Sequence, residues 1–323
     1  MKKTLLYSAT VLLLAAVACN KTDNVPAEGD GLIRFAPVAE NTRALIYQDN
    51  LTSETFQVYD FKDDAKYIED KIKYVNDSWK YVSEEDYLWK AGSHQLFGYS
   101  EAFGALPDSK QITFTKVLTT KPADQVDMLY SQIVNTTADA WKHTAGNTKE
   151  TPVKLNLKHL FSAVRIAVTN GKTEQIRLNS VTIPTIPNSA TATIDYRGSE
   201  VAVIIRPAPT AGTTPFVSAA AAANVDISPN GALDLLAQVP ATGNPTYFMV
   251  WPQTIPDMAI TVKYTQNGNI YEATATIPSI QWVAGKLYTY TLNIGNADDI
   301  LLNFTVKDWI AGNGDEGETQ EFE

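Results

Sequence analysis

Ile260-Thr261-Val262-Lys263-Tyr264, then Thr265-Gln266-Asn267-Gly268-Asn269, then Ile270-Tyr271-Glu272-Ala273-Thr274, is the stretch that decides the fold. Both flanks alternate side chains with period two and are rich in β-branched and aromatic residues, as half-buried strands are. Asn267-Gly268 accepts the positive φ angles of a tight two-residue turn, so the stretch forms one antiparallel hairpin.

The same pattern recurs along the chain. Phe56-Gln57-Val58-Tyr59, Gln95-Leu96-Phe97-Gly98-Tyr99, Gln111-Ile112-Thr113-Phe114 and Asp127-Met128-Leu129-Tyr130 are short strand-like runs between turn residues. Val164-Arg165-Ile166-Ala167-Val168 precedes another turn at Asn170-Gly171, whereas helical periodicity is nearly absent. Many short strands at this spacing predict an all-β protein built from antiparallel sandwiches rather than βαβ units. The 323 residues accommodate two in tandem. Val153 to Phe161 alternates and then runs without a Gly or Pro into the strand around Val164, which sets a boundary near residue 160. The expected domains are therefore 31–160 and 161–323, the second ending in an acidic tail.

The N-terminus has a different composition. Lys2 and Lys3 precede the apolar run Val11 to Ala18, which is too short to span a bilayer, and the single cysteine, Cys19, follows directly. A basic start, a short apolar stretch and small residues before a cleavage point make residues 1–18 a secretory signal peptide. Ala16-Val17-Ala18-Cys19 resembles a bacterial lipobox, so Cys19 is the expected lipidation site. Two or more acyl chains there would hold the protein on a membrane durably, at about 0.8 kcal/mol per buried methylene. Residues 19–30 are polar, with Pro26 and Gly29, and read as a flexible tether. No cysteine remains for an internal disulfide, so stability has to come from burial and sheet hydrogen bonds. The net charge of −10 argues against a nucleic-acid partner.

No motif supplies catalytic chemistry. His94, His143 and His159 are far apart and none has a second ligand at metal spacing; His94 and His159 are expected to pack or bond at a sheet surface. There is no nucleophile elbow, phosphate-cradling glycine loop or zinc-protease helix signature. The acidic runs Asp63-Asp64, Glu84-Glu85-Asp86 and Asp298-Asp299 read as solvated loops. Neither enzyme activity nor a cofactor is expected. Trp79, Tyr81, Tyr87 and Trp89 lie close together, and such rings either pack a sheet or stack on sugars.

Taken in order, these segments resemble the fimbrillin family, the subunits of type V pili in Bacteroides-type bacteria. The resemblance rests on the lipobox, Gly31-Leu32-Ile33-Arg34-Phe35-Ala36-Pro37, Asn41-Thr42-Arg43-Ala44 and Leu157-Lys158-His159-Leu160. Ala284-Gly285-Lys286-Leu287-Tyr288-Thr289-Tyr290, with Thr291-Leu292-Asn293-Ile294 after it, and the closing Val306-Lys307-Asp308-Trp309 complete it. It implies two transthyretin-like β-sandwich domains and export to the outer membrane as a lipoprotein held by Cys19. An arginine-specific protease would then cut between Arg43 and Ala44, and other pilus subunits would be the partners at the cell surface.

Alternation places Ile33 and Phe35 on one face of the first strand. A cut at Arg43 would release that strand with the lipid, leaving an apolar groove and an unpaired edge for a neighbour's strand. The donor candidate is Ile300 to Trp309, whose Ile300, Leu302, Phe304 and Val306 share one side. Burying four such chains gives roughly 6–12 kcal/mol gross. The same segment also reads as the last strand of its own domain. The tail after Trp309 is acidic and a poor donor, which leaves a tip or accessory subunit open. An alternative function is an anchored lipoprotein that binds glycans through exposed Trp79 and Trp89.

Overall fold

In the computed structural model, residues 31–39, 51–104, 109–119, 125–138, 152–183, 186–207, 216–217, 225–234, 248–295, 300–308 and 319–320 are described. Cys19, Arg43, Ala44 and Trp309 lie outside them. The hairpin is formed: Met258–Gln266 pairs with Asn269–Ile277 in antiparallel register. Asn267 and Gly268 take φ angles of 50° and 79°, so the turn uses the left-handed conformations that this dipeptide tolerates.

That hairpin belongs to a five-stranded sheet with Ile176–Ile183 and two short strands. A six-stranded sheet centred on Ser162–Asn170, Lys286–Ile294 and Ile300–Asp308 belongs to the same sandwich. Inward positions of both sheets, among them Ile166, Val168, Leu178, Val262, Tyr264, Tyr290 and Leu292, make its core.

The N-terminal sandwich is built on an eight-stranded sheet. Its main path runs Phe35–Ala39, Val153–His159, Leu129–Ser131, Gly92–Ser100, Thr55–Lys62, Ala65–Val75 and Ser78–Tyr81. Val134–Ala138 pairs beside Gly92–Ser100. Thr55–Lys62 is buried on both faces, which is why its alternation is weak in the sequence. Tyr59, Phe61, Phe97 and Tyr99 point to one core, where Phe97 stacks on Tyr196 with ring centroids 4.0 Å apart. Phe56, Val58 and Leu96 point to another, shared with Ile33 and Phe35.

The first of these cores is covered by a three-stranded sheet of Gln111–Val117, Ser189–Asp195 and Ala202–Pro207. Its strands come from both sides of residue 160. The chain does change sheets there, between Val153–His159 and Ser162–Asn170, but the hairpin Ser189–Pro207 returns to pair with Gln111–Val117. A division into 31–160 and 161–323 therefore does not describe which strands share a sheet. Alternation fixes the faces of a strand and says nothing about its partner.

Among the described strands, two pairings depart from a wholly antiparallel arrangement. Phe35–Ala39 runs parallel to Val153–Leu157, and Ser162–Asn170 runs parallel to Lys286–Ile294. Each joins strands more than a hundred residues apart in sequence. No tight turn forces their direction.

The two sandwiches share core. Leu160, Phe161, Ala163, Met249 and Trp251 pack in the cluster that holds Tyr59, Phe97 and Tyr196. The Trp251 indole N–H donates to the Lys116 carbonyl at 3.2 Å, and the Gln125 side chain bonds both the N–H and the carbonyl of Met249.

Candidate functional site

Ile33 and Phe35, the residues expected to plug the groove, are 0% and 2% exposed. Around them are Phe56, Val58, Ile68, Ile72, Leu96, Val153 and Leu155. Period-two alternation drives both side chains into this core at once, as the sequence predicts. Burying the pair contributes about 3–6 kcal/mol.

The segment Gly31–Ala39 is held from two sides. Towards one side, Phe35–Ala39 lies parallel to Val153–Leu157, and the Val153 N–H donates to the Arg34 carbonyl at 2.8 Å. Towards the other, Ile33 donates to the Tyr87 carbonyl at 2.7 Å and Trp89 donates to the Gly31 carbonyl at 2.8 Å. Leu32 and Leu88 form an antiparallel bridge there. The Tyr81 hydroxyl adds a 2.8 Å bond to the Ile33 carbonyl, and its ring meets Phe35 edge-on at 6.3 Å. Tyr81 and Tyr87 are thus strand-holding residues, a role hidden in the sequence because it depends on contacts about fifty residues apart.

Against the Trp89 ring lies a buried ionisable pair. His94 Nδ1 is 2.6 Å from Asp60 Oδ2, both side chains are fully buried, and His94 Nε2 is 2.8 Å from the Lys90 carbonyl. A carbonyl only accepts, so Nε2 carries a proton. Burial pushes Asp60 up, against the pull of the His94 bond. Burial pulls His94 down, but its bonds to Asp60 and Lys90 and the Asp60 charge outweigh that, leaving it above its ordinary value. His159 has the same kind of partner, with Nδ1 2.6 Å from Asp127 Oδ2. Both histidines were expected to pack or bond at a sheet surface; each bonds an aspartate, and His94 does so in the interior. His143 lies outside the described residues. Among the described residues, no group of three His, Cys, Asp or Glu side chains could hold a metal ion.

The aromatic cluster divides. Trp89 is 4% exposed and packs edge-on against His94 at 5.1 Å, so it is not the exposed ring a sugar would need. Trp79 is half-buried and, with Tyr81 and Tyr87, lines a cleft of about 590 Å³ beside Leu32–Phe35.

The donor candidate occupies its own sandwich. Ile300–Asp308 pairs antiparallel with Lys286–Ile294 along its whole length. Phe304 is 4% exposed with its ring 5.7 Å from Tyr290, and Ile300, Leu302 and Val306 pack partly buried against the same core. On the far edge, Thr319–Gln320 pairs with Phe304 and Thr305.

Solved structures share this architecture. A fimbrial protein from Bacteroides vulgatus aligns with a TM-score of 0.58 and 13% identity, over 86% of this chain and 99% of that one. A candidate cell adhesion protein from Bacteroides ovatus aligns with a TM-score of 0.52 and 15% identity, over 87% and 98%. At such identity the likeness speaks for the fold. No curated protein matches the chain. A family model described as Fimbrillin-like matches residues 42–309, and the chain belongs to that fimbrillin-like family.

Proposed function

We propose that this chain is a non-enzymatic subunit of a cell-surface fimbria, exported as a lipoprotein through Cys19 and released by a cut between Arg43 and Ala44. The first strand then leaves, and a neighbouring subunit's strand takes its place. The observation that carries this reading is the seating of Ile33 and Phe35. Both fill the core of the N-terminal sandwich, yet Phe35 opens the strand Phe35–Ala39 at the end of the sheet path and Ile33 lies two residues before it, both upstream of Arg43 in the chain. Losing that strand exposes the side chains around them and leaves Val153–Leu157 without its parallel partner. Completion of the fold by a neighbour restores both.

As donor, Ile300–Asp308 has to leave its full pairing with Lys286–Ile294 and withdraw Phe304 from the core. Exchange through this strand therefore depends on an acceptor groove that offers comparable burial. Partners in this reading are other fimbrial subunits, the outer-membrane lipid around the Cys19 anchor, and an arginine-specific protease.

Limited trypsin treatment of the precursor tests it. A product beginning at Ala44 that forms ladders resistant to mild denaturant is expected, and Arg43→Ala should stay monomeric. An intact Arg43-Ala44 bond, or a cut product that never assembles, defeats the reading.

A further inference from the structure

We propose that the cleft beside the first strand binds a neutral oligosaccharide. It lies between Leu32–Phe35 and the edge strand Ser78–Tyr81, and its volume of about 590 Å³ is within the range of small-ligand clefts. Trp79, Tyr81 and Tyr87 give it aromatic walls, the surfaces on which the C–H faces of a sugar ring stack.

These rings are held before any ligand arrives. The Tyr81 hydroxyl is committed to the Ile33 carbonyl and the Tyr87 hydroxyl donates to Asp70 at 3.3 Å. Their rings meet edge-on at 4.8 Å, and Trp79 is wedged between Phe56 at 5.6 Å and Tyr74 at 5.5 Å. Such fixed rings lose little freedom on binding.

The rim chooses the class of ligand. Arg34, Lys73 and Lys80 contribute three positive charges, and Glu84, Glu85 and Asp86 contribute three negative ones. The balance favours neither an anion nor a cation. It supplies both donors and acceptors, which suit a ligand covered with hydroxyl groups. A further peptide strand fits less well, because at Ile33 the N–H is bonded to Tyr87 and the carbonyl to Tyr81. No backbone ladder can start there.

The site requires the first strand in place but no cleavage or assembly, so its test is separate from that of fimbrial exchange. The full-length protein with Arg43 intact is applied to an array of neutral glucans, galactans, mannans and neutral mucin-type chains. The strongest binder is then titrated by tryptophan fluorescence. A Kd tighter than about 1 mM is expected. Trp79→Ala should weaken it at least about tenfold, while Trp79→Phe, which keeps a ring, stays within about threefold. Glu85→Gln, at an exposed position, should weaken it about threefold or more. Tyr271→Ala, remote from the cleft, should change nothing. A silent array, binding confined to charged glycans, or binding unaffected by both Trp79→Ala and Glu85→Gln overturns the proposal.

Discussion

The Tyr81 hydroxyl donates a 2.8 Å hydrogen bond to the carbonyl of Ile33, a residue 48 positions earlier in the chain. It ties the edge strand Ser78–Tyr81 to the segment, just before Phe35–Ala39, whose departure the proposed assembly requires. Tyr81→Phe keeps the ring against Phe35 and removes only this bond. A loss of about 1 kcal/mol is expected. Urea unfolding should show it as a lower midpoint with unchanged slope, and limited proteolysis should release the first strand sooner.

Phe35→Ala removes a side chain that is 2% exposed and leaves a cavity against Ile72 and Val153. The expected cost is about 3–5 kcal/mol, against about 2–5 for Ile33→Ala. Thermal unfolding of each variant measures it. If Phe35→Ala is nearly neutral, the first strand is not the plug that the proposed assembly requires.

Asp60 and His94 make stability depend on pH. Both are raised above their ordinary values of 3.8 and 6.5, so the folded pair holds its shared proton more tightly than the unfolded chain does. A raised group contributes fully below its unfolded value and loses that contribution as pH climbs through the folded one. For His94 the loss begins above 6.5. The charged groups near this pair are few: Lys62 opposes the imidazolium and favours the Asp60 carboxylate. The urea midpoint of the wild type should fall between about pH 6 and pH 9, and His94→Gln should flatten that fall. A wild-type midpoint that rises across this window contradicts the direction.

Much of this architecture was legible in the residues. Asn267-Gly268 announced its hairpin because a two-residue turn is local chemistry, and the burial of Ile33 and Phe35 followed from alternation alone. What stayed hidden was pairing at a distance. Nothing in Ser189–Asp195 marks Gln111–Val117 as its neighbour, and nothing near Phe35 predicts a parallel partner at Val153. The environments of individual aromatics were equally concealed: Trp79 and Trp89 look alike in sequence, but one lines a cleft and the other is enclosed beside His94. Cross-strand neighbours decide such differences, and sequence patterns record only faces.

Phe304→Ala separates the two roles of the Ile300–Asp308 strand. In the monomer this ring is 4% exposed beside Tyr290, so its truncation should cost about 3–5 kcal/mol. Chain assembly after the proposed cut at Arg43 gives the second readout. If the strand only closes its own sandwich, lost stability should be the sole effect, and ladders formed well below the melting temperature should match the wild type in denaturant resistance. If it is the donor, each joint loses the same buried ring, and the ladders should dissociate at lower denaturant as well. Mixing helps to locate the effect: cut Phe304→Ala protein carrying intact grooves should still accept strands from wild-type subunits, giving mixed joints of wild-type strength. Equal weakness of every mixed joint would place the damage in the fold of the mutant rather than in its donated strand.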